Sequence, residues 1–321
     1  MNTDARYVGP VERLIYLRTL PSFGALSPAE LAHMAHNTHE RYFKRGTRLL
    51  EEGREAAHVY FIVEGTVSTR RGGRIMQLIE PPWAVGFLPV LSQDPESTEA
   101  RAETDVVALE LSADDLLDAM EDNFPLLEAG IRQMSKQIAE QQEHLEARGL
   151  LARTEATPGP AIPYPLDLVQ RLVLLRRSGP FRKASLDPLS ELARRCVEVR
   201  YEPGSMLWRA GEPSDWGLHL AHGVVACSAP DGKRSFRMGH DSVLGLSEAL
   251  ARAPRSYDAV AETQVVGLRA ETENFIDMLE DNFDISLAFV RFLATLLTQL
   301  YERAAAADAA SIEAAQAVPG S

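Results

Sequence analysis

Cysteine is nearly absent: the 321 residues hold two, Cys196 and Cys227, with no CxxC or CxxH spacing. That excludes a disulfide framework and fits a reducing cytoplasm. Basic residues are in deficit, 33 Lys and Arg against 46 Asp and Glu, for a net charge of −13 and a pI near 5.2. Phosphate backbones are bound through clustered Lys and Arg, so nucleic acid is not expected as a partner. The short runs Arg70-Arg71 and Arg194-Arg195 lie near acids and read as ordinary surface. No uninterrupted apolar run approaches 18 residues, and Met1 to Pro10 lacks a signal-peptide core. A cytoplasmic protein without a membrane partner is therefore expected. GxSxG, HExxH and GxxxxGK(S/T) are absent too, so no catalytic residues are assigned and no enzyme is expected.

Histidines do not fill the gap. His33, His36 and His39 are three apart, but on a helix the third has turned about 120° from the first. No Asp, Glu or Cys completes a ligand set, so no metal or resident cofactor is assigned. His219 and His222 read as turn and rim residues, and Trp83, Trp208 and Trp216 as core or rim. What remains is ordinary globular composition, 45% apolar and 25% charged. The length suggests about two domains.

Those two domains are written as a duplication. Arg45-Gly46 through Glu52-Gly53 matches Pro203-Gly204 through Ala210-Gly211 at an offset of 158, as does Glu64-Gly65-Thr66-Val67 with His222-Gly223-Val224-Val225. After one extra residue near Asp231-Gly232 the offset is 159. It pairs Gly86 with Gly245, Pro95 with Pro254, Ala102-Glu103-Thr104 with Ala261-Glu262-Thr263, and Met120–Phe124 with Leu279–Phe283. Four prolines between Ala156 and Pro165 mark a semi-rigid linker. The expected domains are 1–151 and 166–309, with the linker at 152–165 and a flexible tail at 310–321.

Each copy opens with a capped helix, Ser27-Pro28-Ala29-Glu30 in the first and Asp187-Pro188 in the second. Short strand-like segments separated by glycine turns follow, such as Val59–Val63 and Gly223–Cys227, and two helices close the copy. The fold class is mainly β with flanking α: two jelly-roll, cupin-like barrels, each with an N-terminal helix and two C-terminal helices. The last helices carry apolar stripes, Leu127, Ile131, Met134, Ile138 and Leu145, then Ile285, Phe289, Phe292, Leu296 and Leu300. Such stripes serve either for docking on a barrel or for pairing, as a pseudo-dimer within the chain or a homodimer.

This order of helix, jelly roll, cassette ending in Ala-Glu-Thr and two helices resembles the cyclic-nucleotide-binding domain of catabolite-activator-type regulators and kinase regulatory subunits. The resemblance covers about 14–145 and 167–305. Its most telling stretches are Val59 to Val67 and Pro254 to Thr263. It implies a phosphate-binding cassette, roughly Gly-Glu-x-Ala-Leu then Pro-Arg-x-Ala, in which the glutamate takes the ribose hydroxyl and the arginine the cyclic phosphate. In the first copy Gly86 is followed by Phe87 at the glutamate position, and Glu96, before Ser97, takes the arginine position. At about 4 Å and an effective dielectric near 20, that carboxylate against a phosphate costs about 4 kcal/mol, about a thousandfold in affinity. Arg101 falls at the position of Val260 and is not a ligand. The first cassette is therefore degenerate.

The second copy reads Gly245-Leu246-Ser247-Glu248-Ala249-Leu250, then Pro254-Arg255-Ser256. The arginine is present and the glutamate has become Leu246, which weakens ribose binding about 10–100-fold without forbidding it. Gly245, Leu246, Ser247, Glu248, Ala249, Arg255 and Ser256 form the candidate site. Its expected occupant is cyclic AMP, cyclic GMP or another small anion; alternatively Arg255 pairs with Glu248 or Asp258 and only holds the loop. The DNA-binding relatives carry a helix-turn-helix after the long helix, and Ala304–Gly320 does not resemble one. Two functions stay open: a non-enzymatic sensor relaying through the C-terminal helices, or an interaction module with a protein partner, both pockets closed by Phe87 and Leu246.

Overall fold

The computed structural model describes residues 9–24, 26–93, 98–151, 156–177, 179–182, 184–232 and 234–316. The first repeat runs α1 (Pro10–Thr19), α2 (Pro28–Asn37), β1 (His39–Phe43), β2 (Arg48–Leu50), β3 (His58–Glu64), β4 (Val67–Arg71), β5 (Arg74–Ile79), β6 (Trp83–Val85), α3 (Phe87–Ser92), β7 (Glu99–Ala102), β8 (Val106–Ser112), α4 (Ala113–Asp122) and α5 (Phe124–Ala147). The second runs α6 (Leu168–Arg177), a 3-10 turn (Gly179–Phe181), α7 (Leu186–Arg195), β9 (Val197–Tyr201), β10 (Met206–Trp208), β11 (Trp216–His222), β12 (Val225–Ser228), β13 (Ser235–Met238), β14 (Val243–Leu244), α8 (Leu246–Leu250), β15 (Asp258–Ala261), β16 (Val265–Glu271), α9 (Thr272–Glu280) and α10 (Phe283–Gln316). Sheets β1-β8-β3-β6 and β2-β7-β4-β5 in one repeat correspond to β9-β16-β11-β14 and β10-β15-β12-β13 in the other. Both repeats are jelly-roll barrels flanked by helices.

The duplication begins earlier than the glycine pattern suggests. Val11-Glu12-Arg13-Leu14 and Val169-Gln170-Arg171-Leu172 are 158 apart. So are the bonds they make: Arg13 Nη1 donates to Thr38 O at 2.6 Å and Arg171 Nη1 to Cys196 O at 3.0 Å. Each arginine closes the C-terminal end of the second helix, where carbonyls lack intrahelical donors. Ser27 caps α2 in a full capping box, donating to Glu30 Oε2 at 2.6 Å and accepting from Glu30 N at 3.3 Å. That device contributes about 1 kcal/mol. In α7 the expected Asp187-Pro188 start is corrected. The N-cap is Ser185, the partner of Ser27 in register, and Pro188 lies in the first turn, where its missing N–H is not needed. Gly65 and Gly223, at φ +95° and +104°, also match: a Cβ on either would run into the carbonyl of Asp105 or Gln264.

Contacts divide the chain into two compact units, residues 1–133 with 294–321, and 134–293. The first unit thus holds the first barrel and the later part of α10. Leu126, Leu127 and Ile131 are buried there, as are Ala294, Leu297 and Leu300. The second holds the later part of α5 and the second barrel, with Met134, Ile138, Leu145, Ile285, Phe289, Val290 and Leu293 buried. The α5 stripe is as expected. In α10 Phe292 is exposed and Leu296 only partly covered, while Val290, Leu293 and Leu297 take the buried positions. The helix is corrected to a 3.6-residue drift rather than a strict 3.5-residue seam. By length and composition (mean hydropathy 1.4) Phe283–Ala310 is apolar enough to cross a bilayer. Here its buried face is packed within the two units.

In the second unit, Trp208, Trp216, Leu218, Leu220, Val225, Cys227, Leu244, Tyr257, Ala259, Ala261 and Val265 form the barrel core. Period-two alternation along β11 turns Trp216, Leu218 and Leu220 inward and puts Gly217 and His219 on the opposite face. His219 is thereby buried within the strand, not at a rim. The proline-rich stretch lies along this barrel: Gly223 N donates to Pro158 O at 2.9 Å and His240 N to Thr157 O at 3.0 Å.

Candidate functional site

Gly245 ends β14 and opens α8 in the left-handed region, φ +69°. A side chain there would strike the Arg255 guanidinium and crowd Trp208, so glycine is required twice over. The close approach exists because Arg255 is turned into the barrel, 2% exposed. Its Nη1 donates to Gly245 O at 2.9 Å and its Nη2 to Trp216 O at 2.6 Å, tying α8 to β11. The guanidinium packs against two indoles that meet edge to face, 4.3 Å from the Trp208 centroid and 4.7 Å from that of Trp216, the two centroids being 5.1 Å apart. Tyr257 packs on Trp208 at 5.7 Å and Phe236 on Tyr257 at 5.1 Å. Burial pulls the Arg255 pKa below the ordinary arginine value, opposed by Glu248, Tyr257 and Asp215. An arginine stays charged through such a shift, and cation–π contact replaces part of its lost hydration.

The other expected site residues are brought together, in other roles. Glu248 is buried and accepts from Ser256 Oγ at 3.0 Å, so it does not bond Arg255. Asp258 accepts from Ala210 N at 2.8 Å. The loop-holding alternative is thus corrected in its partners: two backbone carbonyls, not a carboxylate, receive the guanidinium. Ser247 and Ala249 lie in α8, where Ser247 O accepts from Ala251 N at 3.0 Å. Leu246 packs over Gly217, on the face of β11 opposite Trp216. The period-two reversal of β11 sets that contact on the other face of the strand from the Trp216 side chain.

In the first unit Gly86 is likewise left-handed, φ +96°, and opens α3. Phe87 packs by Gly130 of α5, its Cζ 3.8 Å from where a Cβ on Gly130 would lie, so its ring is engaged with the helix layer. Glu96 and Ser97 lie outside the described residues. The positions of Trp208 and Trp216 are Leu50 and His58 here, so the tryptophan pair has no counterpart. Instead Glu110, at the position of Arg269, receives Arg41 through Nε and Nη2, both at 2.9 Å. Burial pushes Glu110 up, but Arg41, His58 and His39 outweigh it and hold the carboxyl below its usual range. In the second barrel Arg269 also lies over the Trp216 ring, 4.4 Å from its centroid, and bonds Glu271 at 2.7 Å.

Sequence reasoning missed the tryptophan pair that packs on Arg255. Its signal was that both tryptophans fall at positions held by Leu50 and His58 in the other copy, so the register between copies identifies a change specific to the second barrel. His33, His36 and His39 are exposed, and the described residues contain no group of three or more His, Cys, Asp or Glu that could hold a metal ion.

The sequence profile of the cyclic nucleotide-binding domain matches residues 40–123 and again 198–282, together just over half of the chain. A comparison with curated proteins gives no match. Among solved structures, the chain is similar to a regulatory subunit of a cAMP-independent protein kinase A from Trypanosoma brucei, as a mutant bound to cAMP (18% identity, 89% of this chain and 91% of that one, TM-score 0.34). It is also similar to the regulatory domain of Toxoplasma gondii PKA with cAMP (14% identity, 88% and 97%, TM-score 0.33). A third is the N-terminal domain of a transcriptional regulator from Streptomyces coelicolor A3(2) (24% identity, 39% and 93%, TM-score 0.36).

Proposed function

Because the chain belongs to the cyclic nucleotide-binding domain family, in two tandem copies, we propose that it is a non-enzymatic regulatory protein whose second cassette is satisfied internally and which acts through a protein partner. The observation that carries this is the disposition of Arg255. Its two terminal nitrogens are bonded to Gly245 O and Trp216 O, and the guanidinium is packed against the indoles of Trp208 and Trp216. To receive a cyclic phosphate it would have to give up two charge-assisted bonds of about 1.5–3 kcal/mol each and the stacking. Leu246, engaged with Gly217, provides no carboxylate for a ribose. Glu248, the nearest candidate substitute, is already bonded to Ser256.

The test is calorimetric titration of the full chain with cyclic AMP, cyclic GMP and cyclic dinucleotides to millimolar concentration, with Arg255→Ala in parallel. Heats indistinguishable from dilution support the reading. Saturable binding at one site per chain, lost in Arg255→Ala, would refute it and establish the second barrel as a sensor. One observation favours that second reading: Arg255 Nε and Trp208 Nε1 are buried donors without a hydrogen-bond partner among the described residues. An oxygen-bearing ligand would satisfy them.

A further inference from the structure

The hairpin joining β12 to β13 carries Arg234, whose side chain is 7% exposed, among the most enclosed charges in the second unit. Its Nη2 lies 2.9 Å from Glu143 Oε1 and its Nη1 3.7 Å from Glu146 Oε2, both on the later part of α5. The same Nη2 donates to Ser256 O at 3.3 Å. Ser256 follows Arg255 directly, and its hydroxyl donates to Glu248 of α8 at 3.0 Å. One guanidinium therefore touches the closing helix of the first repeat and the cassette of the second.

The first unit holds a counterpart. Arg71, at the end of β4 before the equivalent hairpin, lies 2.5 Å from Glu302 of α10. Glu302 and Glu143 are 159 apart, in the register of the duplication. The two arginines are not at equivalent positions, so the glutamate is the shared feature and each hairpin meets it in its own way. A position kept in register and paired with a hairpin arginine in both units is more than an incidental surface contact, whose contribution is usually small.

We infer that Arg234 is a positioning residue that couples the second cassette to α5, so that α5, a helix of the first repeat, is the element through which the state of the Arg255–Ser256 segment is transmitted. The reading above, a regulatory protein with an internally satisfied cassette, is its premise. The consequence is directional. A partner that engages α5 and draws Glu143 and Glu146 away withdraws acceptors from Arg234, whose remaining bond is to Ser256 O. The arginine that holds the cassette beside Arg255 is then itself no longer fixed to α5. This differs from relay through the helices that follow the second barrel, 273–305, because α9 and the start of α10 take no part in the Arg234 contacts.

Hydrogen exchange on the full chain tests it, read in three segments: α5 at 138–147, the cassette at 254–258, and strands β9 and β10 at 198–208 as a reference. Arg234→Gln removes both links and is expected to raise exchange at 138–147 and 254–258 by on the order of tenfold, the loss of one charge-assisted bond. The decisive variant is Glu143→Gln with Glu146→Gln. Glu143 is half exposed, and the pair retains volume, so the chain folds. Exchange at 254–258 should rise on the order of threefold or more with 198–208 unchanged, and adding Arg234→Gln should raise it less than the separate effects predict. If the glutamine pair loosens α5 and leaves 254–258 unchanged, Arg234 does not couple them. If 198–208 rises equally, the effect is general loosening and the inference is likewise overturned. Neither outcome depends on whether a nucleotide binds, so failure here and failure of the calorimetric reading are separately visible.

Discussion

Replacing Arg255 by alanine separates an internal staple from an idle ligand arginine. An arginine waiting for phosphate in an open pocket contributes little to stability, and removing it relieves charge repulsion and desolvation. The arginine described here holds Gly245 O at 2.9 Å and Trp216 O at 2.6 Å while packed against two indoles. Two charge-assisted bonds contribute about 3–6 kcal/mol and stacking about 1–2 more, against a desolvation cost of several kcal/mol for the buried ion. The expected net loss for Arg255→Ala is about 3 kcal/mol. For a unit of this size that lowers Tm by about 6–12 °C. Arg255→Met, which restores volume beside the indoles but supplies no donor, should still cost about 2 kcal/mol. The assay is urea unfolding followed by tryptophan fluorescence in a Trp83→Phe background, where Trp208 and Trp216 report the second barrel directly. If Arg255→Ala lies within about 0.5 kcal/mol of the parent, or is more stable, the staple does not exist as described.

Other expectations follow from the same geometry. Gly245→Ala places a side chain against the guanidinium in a left-handed residue; it should destabilise the second unit by about 2–4 kcal/mol, seen in the same unfolding assay. Burial pushes His219 down to about 4, modulated by Asp241 and Arg177. The unfolded chain therefore binds a proton that the native state refuses, and stability is full above pH 6.5 and falls by about 3 kcal/mol as pH drops towards 4. Urea midpoints from pH 4.5 to 7 should show that slope, and His219→Gln should flatten it. Cys196, raised to about 11 chiefly by burial, and the buried Cys227 should give no thiol colour with Ellman's reagent until denaturant is added.

The duplication and the jelly roll were legible because glycines at special dihedral angles and strand alternation recur at a fixed offset. The first helices were not, since Val11–Arg18 and Val169–Arg176 match mainly at apolar and arginine positions, a pattern many helices share. The role of Arg255 was illegible for a different reason. Its acceptors are backbone carbonyls of Gly245 and Trp216, and no residue type signals that a main-chain oxygen will be turned towards a side chain. The outward direction of Leu246 was within reach. Once Trp216 is assigned to the barrel interior, Gly217 must face the other way, and a side chain packed on Gly217 follows it. The tryptophan pair needed only the comparison of Trp208 and Trp216 with Leu50 and His58.

The division of the chain bears on how such a protein could be rearranged by evolution or by hand. Each compact unit draws one stretch of helix from beyond its own repeat, 294–316 for the first and 134–147 for the second. The linker at 152–165 therefore separates two sequence copies without separating two self-sufficient modules. Excision at that point would give one piece lacking the later part of α10 and another lacking the later part of α5, each with an apolar surface uncovered. Sequence periodicity and modularity part company here: the unit of inheritance is the repeat, while the unit of independent transfer is the whole chain.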